Sequence, residues 1–354
     1  MHTFELICRI KSSQYRYLHN HLPSLVRISK YVERTNFYSA KSITQIELKT
    51  YEYPDSNIIR HEYYLAFRCN PSVIMGDSKI FLIDLEKYYP ADILEELQKR
   101  LYEINEFRYI KLNEMPISMF LARTVHMAAD IQYNLPQLIV WLCNMLFPYS
   151  YHRMKRFKVN KPEKILYTES CYFRNKSRRV NIYNKLIAMH NTGRRIDPKE
   201  LETASHTVRL EIQLEKQGIC NMKLPTKRSL EPFLNEDFCH GYIEKEMKAI
   251  FGTEKFVSKN KAAELINNST FKPYDKAVML SIIDMIYQFK GLYGLEKAIA
   301  DENVYTPPQY GNLRNFKNRW LKKFKKLCIK PVVIPDSLGI DEVPSIYELL
   351  NCRQ

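Results

Sequence analysis

Over the first two thirds of the chain, apolar residues alternate with polar ones in short stretches. In the last third they recur at three- and four-residue spacing. The first pattern belongs to strands, whose side chains point to opposite faces in turn, and the second to amphipathic helices. Phe4, Leu6, Cys8 and Ile10 open the chain as a strand. Residues 42–54 (SITQIELKTYEYP) and 61–70 (HEYYLAFRCN) are rich in β-branched and aromatic residues and predict two more, joined through a turn at 54–57. Residues 90–104 predict a helix, with Pro90 in its first turn and Ile93, Leu94, Leu97, Leu101 and Ile104 on one apolar stripe. Residues 124–131 (TVHMAADI) read as a strand that buries Val125, Met127, Ala129 and Ile131 and presents His126, Ala128 and Asp130 together. A buried helix follows over 135–147, with Asn134 as its N-cap.

Residues 165–174, a basic turn at 175–177 and residues 180–185 (VNIYNK) predict a β-hairpin. In its second strand Val180 and Ile182 face inward while Asn181, Tyr183 and Lys185 share the other face. The cleanest alternation is TVRLEIQLE at 207–215: Val208, Leu210, Ile212 and Leu214 point in, and Thr207, Arg209, Glu211, Gln213 and Glu215 point out. From about residue 230 the spacing turns helical, over 243–251, 259–267, 274–290, 295–300 and 313–327, with Gly291 and Gly294 as breaks. The fold class expected is α+β: an antiparallel sheet with one exposed catalytic face and packing helices, followed by a mostly helical C-terminal domain. The domains divide as 1–228 and 229–354.

Composition sharpens the choice of partner. Lys and Arg number 54 against 39 Asp and Glu, a net charge of +15, which favours a polyanion and nucleic acid above all. The excess is concentrated over 149–195, where thirteen Lys and Arg stand against Glu163 and Glu169 and are interleaved with Tyr and Phe. That mixture suits phosphate contacts together with base stacking. Arg174, Lys176, Arg178 and Arg179 are its DNA-contact candidates, with Arg209 available for a phosphate. The last long helix carries Arg314, Lys317, Arg319, Lys322 and Lys323 with no acid, a candidate duplex-binding element; a charged helix that only maintains solubility has the same pattern. Eight scattered cysteines form no CxxC pair, so a zinc knuckle is unsupported and a cytoplasmic setting is expected. The N-terminus has no apolar h-region, and the most apolar run, 135–149, is too short to span a bilayer, so no membrane partner is expected. His19-Asn20-His21 has nothing nearby to complete a ligand set.

Among 25 tyrosines, Tyr183 stands out because its strand places Lys185 on the same face, and a phenol beside a cation can attack a phosphodiester. His126 and Asp130, two positions apart on one strand face, can share a divalent cation, and Glu211 would join them if its strand lies close.

Taken in order, a strand with Asp130, a hairpin ending in hydrophobe-Tyr-x-Lys and a strand with Arg-hydrophobe-Glu resemble rolling-circle replication initiators. The resemblance is to the filamentous-phage gene II/X type and the related trans-acting plasmid initiators. It is carried by TVHMAADI, CYFRNKSRRVNIYNK (171–185) and TVRLEIQLE, and spans roughly 64–218. Ala128 and Ala129 stand where the family has an arginine just before the acid, and no His-hydrophobe-His pair occurs. The resemblance implies that Tyr183 is the nucleophile and Lys185 its neighbouring cation, with Asp130 and Glu211 as ligands of Mg²⁺ or Mn²⁺; His126 is added to them by strand parity. It implies nicking of one strand at an origin hairpin or single strand, a 5′-phosphotyrosyl link and a 3′-OH that primes a host polymerase, with a host helicase as a further partner. The alternative is a non-catalytic DNA- or RNA-binding regulator, which would need neither metal nor Tyr183.

Overall fold

The computed structural model describes the chain apart from residues 1, 56–57, 78–81, 147–151, 154–155, 159–160, 166–169, 192–196, 302–303 and 353–354. Its strands are β1 (Thr3–Ile10), β2 (Val26–Ser29), β3 (Val32–Thr35), β4 (Ile43–Asp55), β5 (Ile58–Cys69), β6 (Leu121–Gln132), β7 (His152–Arg153), β8 (Arg156–Lys158), β9 (Lys161–Ile165), β10 (Ser170–Arg174), β11 (Arg178–Asn184), β12 (Thr207–Glu215), β13 (Phe256–Val257) and β14 (Glu342–Val343). With its many helices the fold is α+β. The chain divides into two compact units, the first made of Met1–Ala129, Lys176–Arg178 and Glu211–Gly241, the second of Asp130–Asn175, Arg179–Leu210 and Tyr242–Gln354. β6 and β12 each contribute residues to both.

In the first unit the strand order is β2-β3-β4-β5-β1-β6, antiparallel throughout. Leu6 pairs with Phe67, Cys8 with Leu65, and Ile46 and Leu48 with Phe67 and Leu65 from the other side. All six side chains are buried. Each such Leu, Ile or Phe contributes about 1.5–3 kcal/mol on leaving water. The helix Pro90–Tyr102 buries Ile93, Leu97 and Leu101, three members of the expected stripe. The helix Ser12–His21 has no such stripe and buries only Leu18. It is held by specific contacts instead: Gln14 Nε2 donates to the Ile110 carbonyl at 2.8 Å, Tyr15 leans on Tyr63, and Tyr17 stacks on Tyr109 at 4.0 Å between ring centres.

In the second unit β12-β11-β10-β7 follow one another, and β10 is antiparallel to both β11 and β7. Part of the first strand expected for the hairpin, residues 166–169, lies outside the described residues. Helices Lys259–Asn267, Pro273–Gln288 and Leu292–Ala300 form much of the remainder. Gly291, at φ +122°, ends the continuity between the last two, as a residue without Cβ allows; Gly294 lies inside the helix rather than breaking it. The basic stretch 313–326 is helical but contains a π turn, Phe316–Leu321. Phe316, Trp320 and Phe324 are buried along it, and the Trp320 indole N–H donates to the Gln309 carbonyl at 3.0 Å. Among the described residues no helix is long and apolar enough to cross a membrane.

One close backbone approach within the first unit concerns the basic turn. A Cβ on Gly218 would lie 2.3 Å from the carbonyl oxygen of Ser177 and 3.2 Å from Leu214 Cδ2. Gly218→Ala is therefore expected to destabilise the protein by about 1–3 kcal/mol, as other overpacking changes do, read as a lower urea midpoint; an unchanged midpoint would show that the turn yields freely.

Candidate metal centre

Three ligand-bearing side chains of the first unit converge. Thr3 of β1 lies opposite His126 of β6, and the backbone N–H of His2, one residue earlier, donates to the His126 carbonyl at 2.9 Å. That pairing fixes the start of the chain beside His126. Glu211 of β12 completes the group: His2 Nδ1 stands 3.1 Å from Glu211 Oε1, and one ligand atom from each of His2, His126 and Glu211 lies within 4.8 Å of the others. Glu211 is buried, and both histidines are half-buried. Two imidazoles and one carboxylate suit a divalent transition-metal ion with open positions for water or substrate. Mg²⁺ prefers all-oxygen ligands, so of the two ions expected from sequence Mn²⁺ fits this donor set better.

His2 was invisible to the sequence argument because it precedes the alternating pattern of β1. Only the register between β1 and β6 brings it to His126. Asp130, the other expected ligand, is engaged elsewhere. In the second unit Arg209 Nε and Nη2 donate to its two oxygens, each at 2.7 Å. Arg209 is 0% exposed, so it holds Asp130 instead of facing a phosphate from solvent. Next along the same strands, Gln132 Nε2 donates to Thr207 Oγ1 at 3.1 Å. Thr207, Arg209 and Glu211, expected on a wet face, are thus all buried, each matched to a polar partner. Bidentate pairing of this kind offsets the cost of removing both charges from water.

Tyr183 lies on β11 opposite Ser170 and is half-buried, with Val180 and Ile182 buried as their parity requires. The strand ends one residue later. Asn184 accepts from the Ile187 N–H at 3.3 Å and caps the helix Lys185–His190. Lys185 therefore opens a helix and is buried there, so strand parity does not place it beside Tyr183. Asn181 Nδ2 donates to the Tyr172 hydroxyl at 2.9 Å.

The expected DNA-contact residues separate by environment. Arg174 and Lys176 are exposed, Arg178 and Arg179 half-buried, and Arg174 stands directly opposite Arg179 in the hairpin register. In the C-terminal helical stretch Arg319 and Lys323 reach Asp275 at 3.5 and 2.9 Å, and Lys317 reaches Glu296 at 3.4 Å. These three tie the helix to its neighbours, and Arg314 and Lys322 remain exposed. The Lys323 ammonium draws the Asp275 carboxyl below its ordinary range. His19 lies 2.8 Å from Glu33, and His21 contacts the Tyr17 carbonyl at 2.8 Å.

No family model matches the chain, no curated protein matches it, and no solved structure matches it.

Two stability tests follow from the charge pairing. Arg209→Ala removes both donors from Asp130 and is expected to cost about 2–4 kcal/mol in urea unfolding, somewhat less than a fully buried pair because Asp130 retains some contact with water; replacing both residues with apolar ones should recover much of it. Glu47, on β4 of the first unit, provides the second. Burial pushes its carboxyl up, but Lys49 and Arg34 outweigh that and hold it below the ordinary range. Its contribution is therefore complete above the unfolded value of about 4.3 and is lost as pH falls through the lowered folded value. Between pH 5 and 2 the urea midpoint of Glu47→Gln should fall less than that of the wild type; parallel curves would remove Glu47 as a source of acid lability.

Proposed function

We propose that this chain is a metal-dependent DNA-nicking replication initiator of the rolling-circle kind, with His2, His126 and Glu211 of the first unit as a metal centre; Tyr183, in the second unit, is the nucleophile that the resemblance implies. The observation that carries the reading is the convergence of two imidazoles and a carboxylate from three different parts of the chain. Support comes from the net charge of +15. The choice of tyrosine, and of an origin hairpin or single strand as substrate, rests on the resemblance of the 171–185 and 207–215 motifs.

In the proposed step the Tyr183 oxygen bonds to phosphorus and the bond from phosphorus to the 3′ oxygen breaks. The phenol gives up its proton, and the leaving oxygen takes one up as a 3′-OH. Glu211 and the two histidines would hold a divalent ion, which would supply Lewis-acid chemistry and charge neutralisation when bound. Arg174 and Arg179 would bind backbone phosphates, and the new 3′-OH would serve a host polymerase. Asp130 positions Arg209 and the strand ends around it, without a ligand role.

The test is incubation with supercoiled DNA from the same genetic element and Mn²⁺, followed by mapping of any 5′ protein–DNA adduct. Wild type should nick and become linked, and EDTA should stop it. Tyr183→Phe should lose nicking by at least about a thousandfold while binding Mn²⁺ and DNA as before. His126→Ala and Glu211→Ala should lose Mn²⁺ binding in calorimetry as well as nicking. Nicking that survives in Tyr183→Phe would move the nucleophile elsewhere, and Mn²⁺ binding that survives in both ligand variants would remove the metal centre.

A further inference from the structure

The first unit carries a charge cluster that the metal centre and the hairpin do not use. β3, β4, β5, β1 and β6 are successive neighbours, and the face bearing Thr3 and His126 also bears Glu5, opposite Thr124 on β6 and Arg68 on β5. On β4 the same face bears Glu47, opposite Arg34 of β3. Arg34 Nε and Nη2 donate to Glu47 Oε1 at 2.9 and 2.6 Å, Arg68 Nη2 to Glu5 Oε2 at 3.3 Å, and Arg123 Nη1 bridges Glu5 and Glu47. Lys49 pairs with Glu47 and stands 3.8 Å from Glu5.

Within this cluster the acids lie beneath and the guanidinium groups outside. Glu5 and Glu47 are buried and Lys49 is 2% exposed, whereas the side chains of Arg34, Arg68 and Arg123 retain 36%, 36% and 33% exposure. Four cations face two carboxylates, so two positive charges are in excess, and they are displayed on the half-buried arginines. Each guanidinium has five N–H donors and uses one or two of them on the acids beneath. Three forks of this kind, locked from below, are preorganised for oxyanions with little entropy left to lose.

The same face continues into aromatic residues. Tyr51 and Tyr53 follow Glu47 and Lys49 at alternate positions of β4 and are 39% and 46% exposed. Tyr64, opposite Lys49, meets Tyr51 edge-to-face at 5.4 Å. Exposed rings beside phosphate-binding forks suit unpaired bases, because a duplex hides the faces that stack.

We infer that this face of the first unit is a sequence-independent site for a single-stranded nucleic acid, with Arg34, Arg68 and Arg123 on the phosphodiester backbone and Tyr51 and Tyr53 stacking on bases. The inference stands apart from the nicking reading, since the site needs neither metal nor Tyr183. Fluorescence anisotropy of labelled dT20 and rU20 in EDTA over a salt series tests it, with circular dichroism confirming the fold of each variant. Arg34→Gln/Arg68→Gln/Arg123→Gln should bind at least about tenfold more weakly at 100 mM salt, with a log–log salt slope shallower by about 2, since each phosphate contact on a single strand contributes about 0.7. The triple lysine variant should restore the slope. Tyr51→Ala/Tyr53→Ala, both at exposed positions, should bind about tenfold more weakly with the slope unchanged, which keeps the inference testable should the glutamine variant fail to fold. The oligonucleotide held more tightly identifies DNA or RNA as the natural strand. Wild-type affinity and slope for both oligonucleotides in the folded variants would overturn the inference, whatever nicking assays report.

Discussion

The constraint on which the rest of this protein depends is the pairing of charge on the second face of its sheet strands. One face is apolar and packs in the ordinary way, with Leu6, Phe67, Ile46 and Leu48 in cross-strand rows. In the first unit the other carries Glu5, Glu47, Lys49 and Glu211, all buried, and in the second unit Arg209 is buried as well. A charge removed from water without a partner costs several kcal/mol, so that face is tolerable only because each charge has a counterpart within reach. Such pairing is directional, and it requires side chains from strands far apart in sequence to meet at set positions. The geometry that satisfies the charges is also the geometry that could serve function, since fixed carboxylates, imidazoles and guanidinium groups are what a metal ion or a phosphate needs.

The two units satisfy this constraint with different results. In the second, Arg209 and Asp130 close on each other with two short hydrogen bonds. In the first, the Glu5–Glu47 cluster has more cation than anion, and its arginines are half-buried. His2, His126 and Glu211 are a different case, in which one ligand atom from each lies within 4.8 Å of the others.

The C-terminal basic helix shows the same distinction on a surface. A run of Lys and Arg without acids reads as a nucleic-acid element, yet Lys317, Arg319 and Lys323 find their acids on other helices, at Glu296 and Asp275. Arg314, Arg319, Lys322, Lys325 and Lys326 are exposed all the same, so the pairing takes up only part of the basic surface. Cations near a helix in sequence and cations available to a partner are different quantities, and the difference is set by what packs alongside.

Much of the fold was legible from local pattern. β12 runs over the residues its alternation marks, β1 and β6 contain theirs with small extensions, the helix Lys259–Asn267 has the expected bounds, and the α+β class follows from the change of period. Hydrophobic periodicity is a local property of the chain, and burial of one face enforces it. The helix Ser12–His21 and the hairpin β2–β3 escaped because their contacts are polar or aromatic and leave no stripe. The parity assigned to Lys185 failed because Asn184 caps a helix there, a choice made by one side-chain hydrogen bond and not by alternation. Most of the candidate site was likewise beyond local reading. His126 and Glu211 were singled out as ligand types on polar faces, but the sequence pointed to Asp130 as their companion and gave no sign of His2. That choice depends on the register of β1 against β6 and on Arg209 reaching Asp130 first, two contacts between residues far apart in the chain that only the folded backbone brings together.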